Sequence, residues 1–310
     1  MKILRKTITS YMHHYLPSAI HVHPSTHDPD RALIELRQQY VCQSIQLLPL
    51  DSPIRPDAVR VVCVSDTHNR FDSIVGCLPP GDVLVHAGDF TMVGRSKEIR
   101  KFDTLLGELT QYGEKIVISG NHELSLDPAT RPQRRTATDS PLTNGHYLFD
   151  KSISVFGYNF YGSPWTPAFR NWAFNLARGE DCLNAWNRIP NDTDVLITHG
   201  PPLGHGDQIG AGGNGEHVGC VELLLTVKRR VKPMYHIFGH IHEGYGVTTD
   251  GVTTFINAST CDIYYRPVNP PIIFDLPLKS NWCRDHEGKI KLKINDVART
   301  GPEILFGSVH

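Results

Sequence analysis

Residues 59–68 read "VRVVCVSDTH", a short run dominated by valine that ends abruptly in Ser65, Asp66, Thr67 and His68. A run of this length, apolar at nearly every position, predicts a buried strand closed by polar residues. The pattern then returns four times. "DVLVHA" (82–87) runs into "GDF", "KIVIS" (115–119) into "GNHE", "DVLITH" (194–199) into "GPP", and "MYHIFGH" (234–240) into "IHEGYG". Every exit carries side chains with chemistry: Asp66 and His68, then Asp89, then Asn121 and His122, then His199, then His240 with His242. In sheets whose strands run together, ligands collect at the carboxyl ends of the strands, so the five exits can converge on one crevice.

The intervening segments set the architecture. "SKEIRKFDTLLGELTQYG" (96–113) puts Ile99, Phe102, Leu105, Leu106 and Leu109 on one helical face, with Ser96 as N-cap and Gly113 past the end. "VGCVELLLTVKRR" (218–230) predicts another helix, and "GYGVTTDGVTTFINAS" (244–259) a hairpin turning at Asp250–Gly251. Strand, helix, strand order predicts an α/β or layered α+β fold. The expected division is an N-terminal extension over 1–57, a main domain over 58–280, and a C-terminal tail over 281–310 that includes "KIKLKIN".

Composition narrows the function. The chain has 310 residues, 40% hydrophobic and 20% charged, which is ordinary for a globular protein with one large core or two small ones. A formal charge of -1 argues against a nucleic-acid partner, so any phosphate chemistry must be local. Seven cysteines with no C-x-x-C pair suit a reducing compartment. No apolar run approaches the roughly 20 residues of a membrane span, and "MKILRKTITSYMHHYL" lacks a continuous apolar signal region. A cytoplasmic or nuclear chain without a membrane partner is expected.

Two carboxylates, one amide and five imidazoles form a donor set for borderline divalent ions such as manganese, iron or zinc, and a poor one for calcium. They are too many for one ion. Two ions roughly 3.5–4 Å apart could share a bridging carboxylate and activate a water between them. His240 and His242, at alternate positions, would face the same pair.

Other motifs are read as ordinary. His21, His23 and His27 in "HVHPSTHDP" belong to a solvated extension, and Arg131, Arg134 and Arg135 in "RPQRRTATDSPLTNG" to a solvated loop. "GAGGNG" (210–215) spells G-x-G-x-x-G, but no strand leads into it, so a mobile loop is expected. His205, Asp207 and His217 are taken as solvated residues of that loop, His86 as a packed histidine beside the site, and Trp165, Trp172 and Trp186 as core anchors.

The ordered blocks D-x-H, G-D, G-N-H-E, H and G-H-x-H, spanning about residues 59–277, resemble the calcineurin-like metallophosphoesterases. "GSPWTPAFRNWAFNLARG", "LITHGPPLG", "FGHIHEGYGV" and "RPVNPPIIFDLP" are similar to the metallophosphoesterase-domain-containing branch and not to the protein phosphatases. The resemblance implies two packed β-sheets flanked by helices, with a dimetal site at the strand ends. It implies Asp66, His68 and His242 on the first ion, Asn121, His199 and His240 on the second, and Asp89 between them. His122 would be catalytic, touching the phosphate and protonating the leaving oxygen, with Asn121 and His199 also facing substrate.

The same likeness implies two divalent ions, manganese first and iron or zinc as alternatives, and hydrolysis of phosphodiesters by a metal-bridging hydroxide. Protein phosphatases of this superfamily carry an arginine in G-D-x-x-D-R-G; "GDFTMVG" (88–94) has none, which favours a singly charged diester such as a cyclic nucleotide. A weakly active protein binding nucleoside monophosphates and a nuclease are the alternatives. The expected partner is a small phosphodiester or nucleotide, and a homodimer is compatible with the sequence.

Overall fold

The computed structural model describes residues 19–37, 40–130, 141–210 and 215–293. Along the chain these form α1 (Pro29–Leu36), β1 (Gln43–Ser44), β2 (Ala58–Val64), α2 (Phe71–Ile74), β3 (Val83–His86), α3 (Ser96–Glu108) and β4 (Glu114–Val117). Next come β5 (His146–Tyr147), β6 (Lys151–Val155), β7 (Tyr158–Ser163), the short pair β8 (Thr166–Pro167) and β9 (Asn175–Leu176), α4 (Glu180–Trp186) and β10 (Val195–Thr198). The remainder is α5 (Val221–Thr226), β11 (Tyr235–Phe238), β12 (Gly246–Thr249), β13 (Thr254–Asn257), β14 (Ile272–Pro277), β15 (Trp282–Arg284) and β16 (Ile290–Leu292). All five strands expected from apolar runs are present.

Two sheets carry the fold. One has the order β14-β2-β3-β4-β5, with β2 to β5 parallel and β14 antiparallel to β2. The other has the order β1-β12-β13-β11-β10-β7-β6, parallel from β13 through β7 and antiparallel towards both edges. Alternation explains why β2 must be apolar throughout: Val59, Val61 and Cys63 face the second sheet, packing with Phe160, Val195, Ile197, Ile237 and Ile256, while Val62 and Val64 face the helical side with Phe71 and Phe102. Arg60 is buried in the same strand, but its guanidinium is satisfied by Asp275 and by the carbonyls of Ser52 and Pro53. Removing one partner of such a pair costs roughly 3–5 kcal/mol.

Local departures have local causes. The N-cap of α3 is Arg95 and not Ser96, because the Glu98 carboxylate reaches back to accept from the Arg95 N–H at 2.8 Å. The helix expected over 218–230 begins at Val221 as α5 and widens to π spacing over Val227–Val231, ending at left-handed Lys232. The β12–β13 hairpin turns at Asp250–Gly251 as expected; Asp250 Oδ1 accepts from Val252 and Thr253 N–H, and Gly251 takes a φ of 89°.

The N-terminal segment is packed against the main body. Asp28 caps α1 through the Arg31 N–H, and Ala32 and Leu36 bury against Leu203, Val221, Leu224 and Leu225. Ser25 and Thr26 are buried, whereas His21 and His27 stay exposed. At the other end, Trp282 packs edge-on against Phe156, and Arg284 pairs with Asp82 at 2.6 Å and donates to the Ala58 carbonyl. No helix among the described residues is long and apolar enough to cross a membrane.

Candidate metal centre

Two backbone features make the close approach of the strand exits possible. At Gly120 and at Gly239 a side chain would collide with Asp89 and with Asp66 respectively, so the glycines of G-N-H-E and G-H-x-H let carboxylates reach the neighbouring backbone. Non-glycine residues also adopt positive φ there: Asp66 at 52°, His68 at 41°, Asp89 at 55° and His240 at 69°. Each costs on the order of 1–3 kcal/mol, and such conformations gather where function over-determines the backbone.

The side chains expected to meet do meet. Among the described residues, three overlapping clusters have ligand-type atoms within 4.8 Å of one another: Asp66 with His68 and His242, His68 with Asp89 and His122, and Asp89 with His199 and His240. Asn121 joins the last through Oδ1, 2.9 Å from His199 Nε2. His68 links the first two clusters and Asp89 the second two, so the centre is continuous and elongated.

Carbonyl groups behind the imidazoles fix which nitrogen faces inward. Nδ1–H of His122 donates to the Met92 carbonyl at 2.7 Å, that of His199 to Ala87 at 3.0 Å, and that of His242 to Asp262 at 2.8 Å. Each Nε2 is thereby turned towards the centre, and for His199 and His242 this is the usual arrangement behind metal-ligating histidines. Asp66 is held by the His240 N–H and by Ser259 Oγ–H at 3.0 Å, and Asp89 Oδ1 accepts from the His122 N–H at 2.8 Å.

A divalent ion fits this set. His68 Nε2 faces His242 Nε2 at 3.2 Å, and His199 Nε2 faces Asn121 Oδ1 at 2.9 Å. Adjacent ligands on a six-coordinate ion with bonds of roughly 2.1 Å lie about 3 Å apart. The field agrees. Burial disfavours the charged forms of His199 and His242, yet Asp89 and Asp66 reverse this and lift both to about 9. Burial likewise opposes ionisation of Asp66 and Asp89, but the surrounding imidazoles hold both carboxyls below the usual range. Such a site pulls in positive charge.

Several contributors were not assigned roles from sequence. Glu123, fully buried, accepts from the N–H groups of Asp89, Thr91 and Gly120 and from the Thr91 hydroxyl, tying the β3 and β4 exits together. Trp172 is half-buried and stacks on His122 with ring centroids 4.2 Å apart and 25° between planes; it belongs to the site, not the core. Trp165 is partly buried and donates to Asp150, while Trp186 is the core residue expected. Tyr265 sits edge-on to His68 at 4.7 Å. The aromatic content of "AFRNW" and "DIYYRP" was the available signal for the last two groups, but it has no periodicity to place it.

The neighbouring readings divide. His86 is buried as expected, bonded to Thr67 at 2.9 Å. His205 and Asp207 are not solvated: both are buried, His205 stacked on Phe255 at 3.7 Å and Asp207 paired with His217 at 2.7 Å. The loop they start is covered by the N-terminal segment, whose Asp30 also accepts from the His217 N–H. The central residues of "GAGGNG" and the arginines Arg131, Arg134 and Arg135 lie outside the described residues.

Comparison with known proteins gives the same answer as the geometry. The chain is 50% identical over 257 residues, 77% of each chain, to metallophosphoesterase domain-containing protein 1 of Homo sapiens. It is 44% identical over 288 residues to the Caenorhabditis elegans UPF0046 protein T07D4.2, covering 85% of this chain and 71% of that one. A second nematode relative, UPF0046 protein C25E10.12, is 45% identical over 254 residues, 78% of this chain and 90% of the other. Residues 59–244 match the model of the calcineurin-like phosphoesterases, and the chain belongs to that family.

Proposed function

We propose that this protein hydrolyses small phosphodiesters at a dimetal centre, with cyclic nucleotides and similar singly charged diesters as its substrates. Asp66, His68 and His242 would hold one ion and Asn121, His199 and His240 the other, with Asp89 shared. Manganese is our first choice, because mixed imidazole, carboxylate and amide donors suit it. Bound there, two divalent ions supply Lewis acidity and an activated water.

The observation that carries this reading is the position of Asp89, common to two ligand clusters and with Oδ2 3.9 Å from His122 Nε2. His122 has its Nδ1–H committed to Met92 and its ring held by Trp172, so only Nε2 is free to face a bound phosphate. There it can steady developing negative charge and hand a proton to the departing oxygen. Asn121 and His199 line the same side. Val93 stands where protein phosphatases have the arginine of G-D-x-x-D-R-G, so "GDFTMVG" offers no cation there to a dianionic monoester.

The test is turnover of bis-p-nitrophenyl phosphate together with metal content, before and after manganese is added. Two bound ions and manganese-dependent release of p-nitrophenolate are expected. Two bound ions without turnover would favour instead a nucleotide-binding regulator built on the same centre. A cytoplasmic or nuclear location and a nucleotide partner belong to this proposal.

A further inference from the structure

Two loops wall the mouth of the centre, and both expose large apolar side chains. The turn between β8 and β9 carries Phe169, 50% exposed, whose ring edges His240 at 6.2 Å. The loop after Cys261 carries Ile263 (52% exposed), Tyr264 (69%) and Val268 (58%), with Tyr265 reaching inwards to His68, His122 and His242. Both loops reach His122, on which Trp172 stacks and which Tyr265 meets edge-on.

Resting on the phosphodiester reading, we propose that this rim is a specificity subsite for the non-reacting ester arm, and that it selects diesters whose retained arm is apolar or aromatic. A diester held at the centre keeps one arm after its leaving group departs. That arm must lie along one of these walls, whose rings of Trp172, Tyr265 and Phe169 reach His122, His68 and His240. Two polar side chains of the walls are already used. Asn175 bonds the carbonyls of Phe169 and Arg170, and the Asp262 carboxylate takes Arg266 and the N–H of Tyr264. Arg170 and Arg266 rest on the rings of Phe169 and Tyr264, and the ring and alkyl surface beside them rewards burial of an apolar group. A formal charge of -1 supplies no basic field to favour a membrane or nucleic-acid surface instead.

Methyl p-nitrophenyl phosphate and phenyl p-nitrophenyl phosphate share charge and leaving group and differ only in the retained arm. With manganese-loaded full-length protein, the phenyl-to-methyl ratio of kcat/KM should fall roughly tenfold in a Tyr264→Ser/Val268→Ser double variant, the scale expected for one apolar group. Calorimetric binding of phenylphosphonate and methylphosphonate gives the same comparison without turnover. Absence of hydrolysis would therefore defeat the proposed activity while the binding ratio still decided this inference. Ratios unchanged within twofold would overturn it, as would an equal loss on both esters, which would mean that the loop only positions His242 through the Asp262 carbonyl. Pelleting of the wild type, but not the variant, with phosphatidylcholine vesicles and no phenyl preference would overturn it in favour of a lipid surface.

Discussion

The five-stranded sheet delivers both carboxylates to the centre, with His68, Asn121 and His122, whereas the seven-stranded sheet delivers only His199, His240 and His242. Beneath that difference the halves share a device. In each, a buried histidine on a parallel strand bonds a threonine beside a candidate ligand: His86 with Thr67 at 2.9 Å, and His236 with Thr198 at 2.8 Å. Thr198 spends its proton on the Gly200 carbonyl, so His236 Nε2–H is the donor there. The charged half is also the more tightly tied, through Glu123 and the left-handed residues Asp66, His68 and Asp89. In the proposed centre a division of labour would follow: anionic ligands on two braced loops would set whether cations bind, and imidazoles opposite would set how tightly each one does.

The largest test of that division is Asp89→Ala. A ligand proposed to be shared by both ions cannot be lost from one alone, so manganese stoichiometry by elemental analysis should drop for both ions, and turnover should fall on the order of 10³-fold or more. Retention of one full ion would show that Asp89 serves a single site. Next comes His122→Ala, which should leave the metals in place and slow hydrolysis roughly 10² to 10⁴-fold. The deficit should shrink for p-nitrophenyl leaving groups, which scarcely need a proton. Lost metal would move His122 into the ligand set.

His240→Gly tests the neutral half. One ion should loosen while the other, held by Asp66, His68, Asp89 and His242, stays, so activity should be reduced and should require more manganese. Coincident manganese titrations for variant and wild type would leave His240 as no more than a strand ending.

The smallest effect concerns stability and joins the halves again. Burial lowers His86 and His236 from 6.5 to about 3, and His205 to about 4. Between those values and 6.5 the unfolded chain binds protons that the folded one refuses, so stability falls as pH drops below 6.5. Urea midpoints should record it, and His236→Gln should flatten the slope by roughly 1.4 kcal/mol per pH unit. An unchanged slope would mean that His236 is protonated in the fold.

Sequence exposed the centre well because each ligand sits where an apolar run stops, a signal carried within ten residues. It exposed less wherever meaning depended on distant partners. Ser259 holds Asp66 from nearly two hundred residues away, and β14 pairs with β2 across a similar gap, with no local mark of either. His205 and Asp207 look like loop polars because the segment that buries them, around α1, precedes them by about 170 residues. Glu123 was visible as part of G-N-H-E, but a carboxylate that accepts only from neighbouring backbone and hydroxyl groups has the same local sequence as a ligand. Ser96 was misjudged for a simpler reason: a glutamate at the third helical position can close the first turn from the arginine before it.

β1 covers the outer edge of β12 with only two residues, both exposed, at Gln43↔Thr249 and Ser44↔Thr248. A strand that short offers an approaching chain almost no ladder to extend, so the seven-stranded sheet ends in a seal and not in a template. Beside the seal, Cys42 contacts His205, and Asn257 at the end of β13 bonds the carbonyls of both Gly206 and Ile241, tying the His205 loop to the turn bearing His240 and His242. The N-terminal chain thus guards the sheet against edge-to-edge association, while the end of β13 braces the imidazole side of the centre.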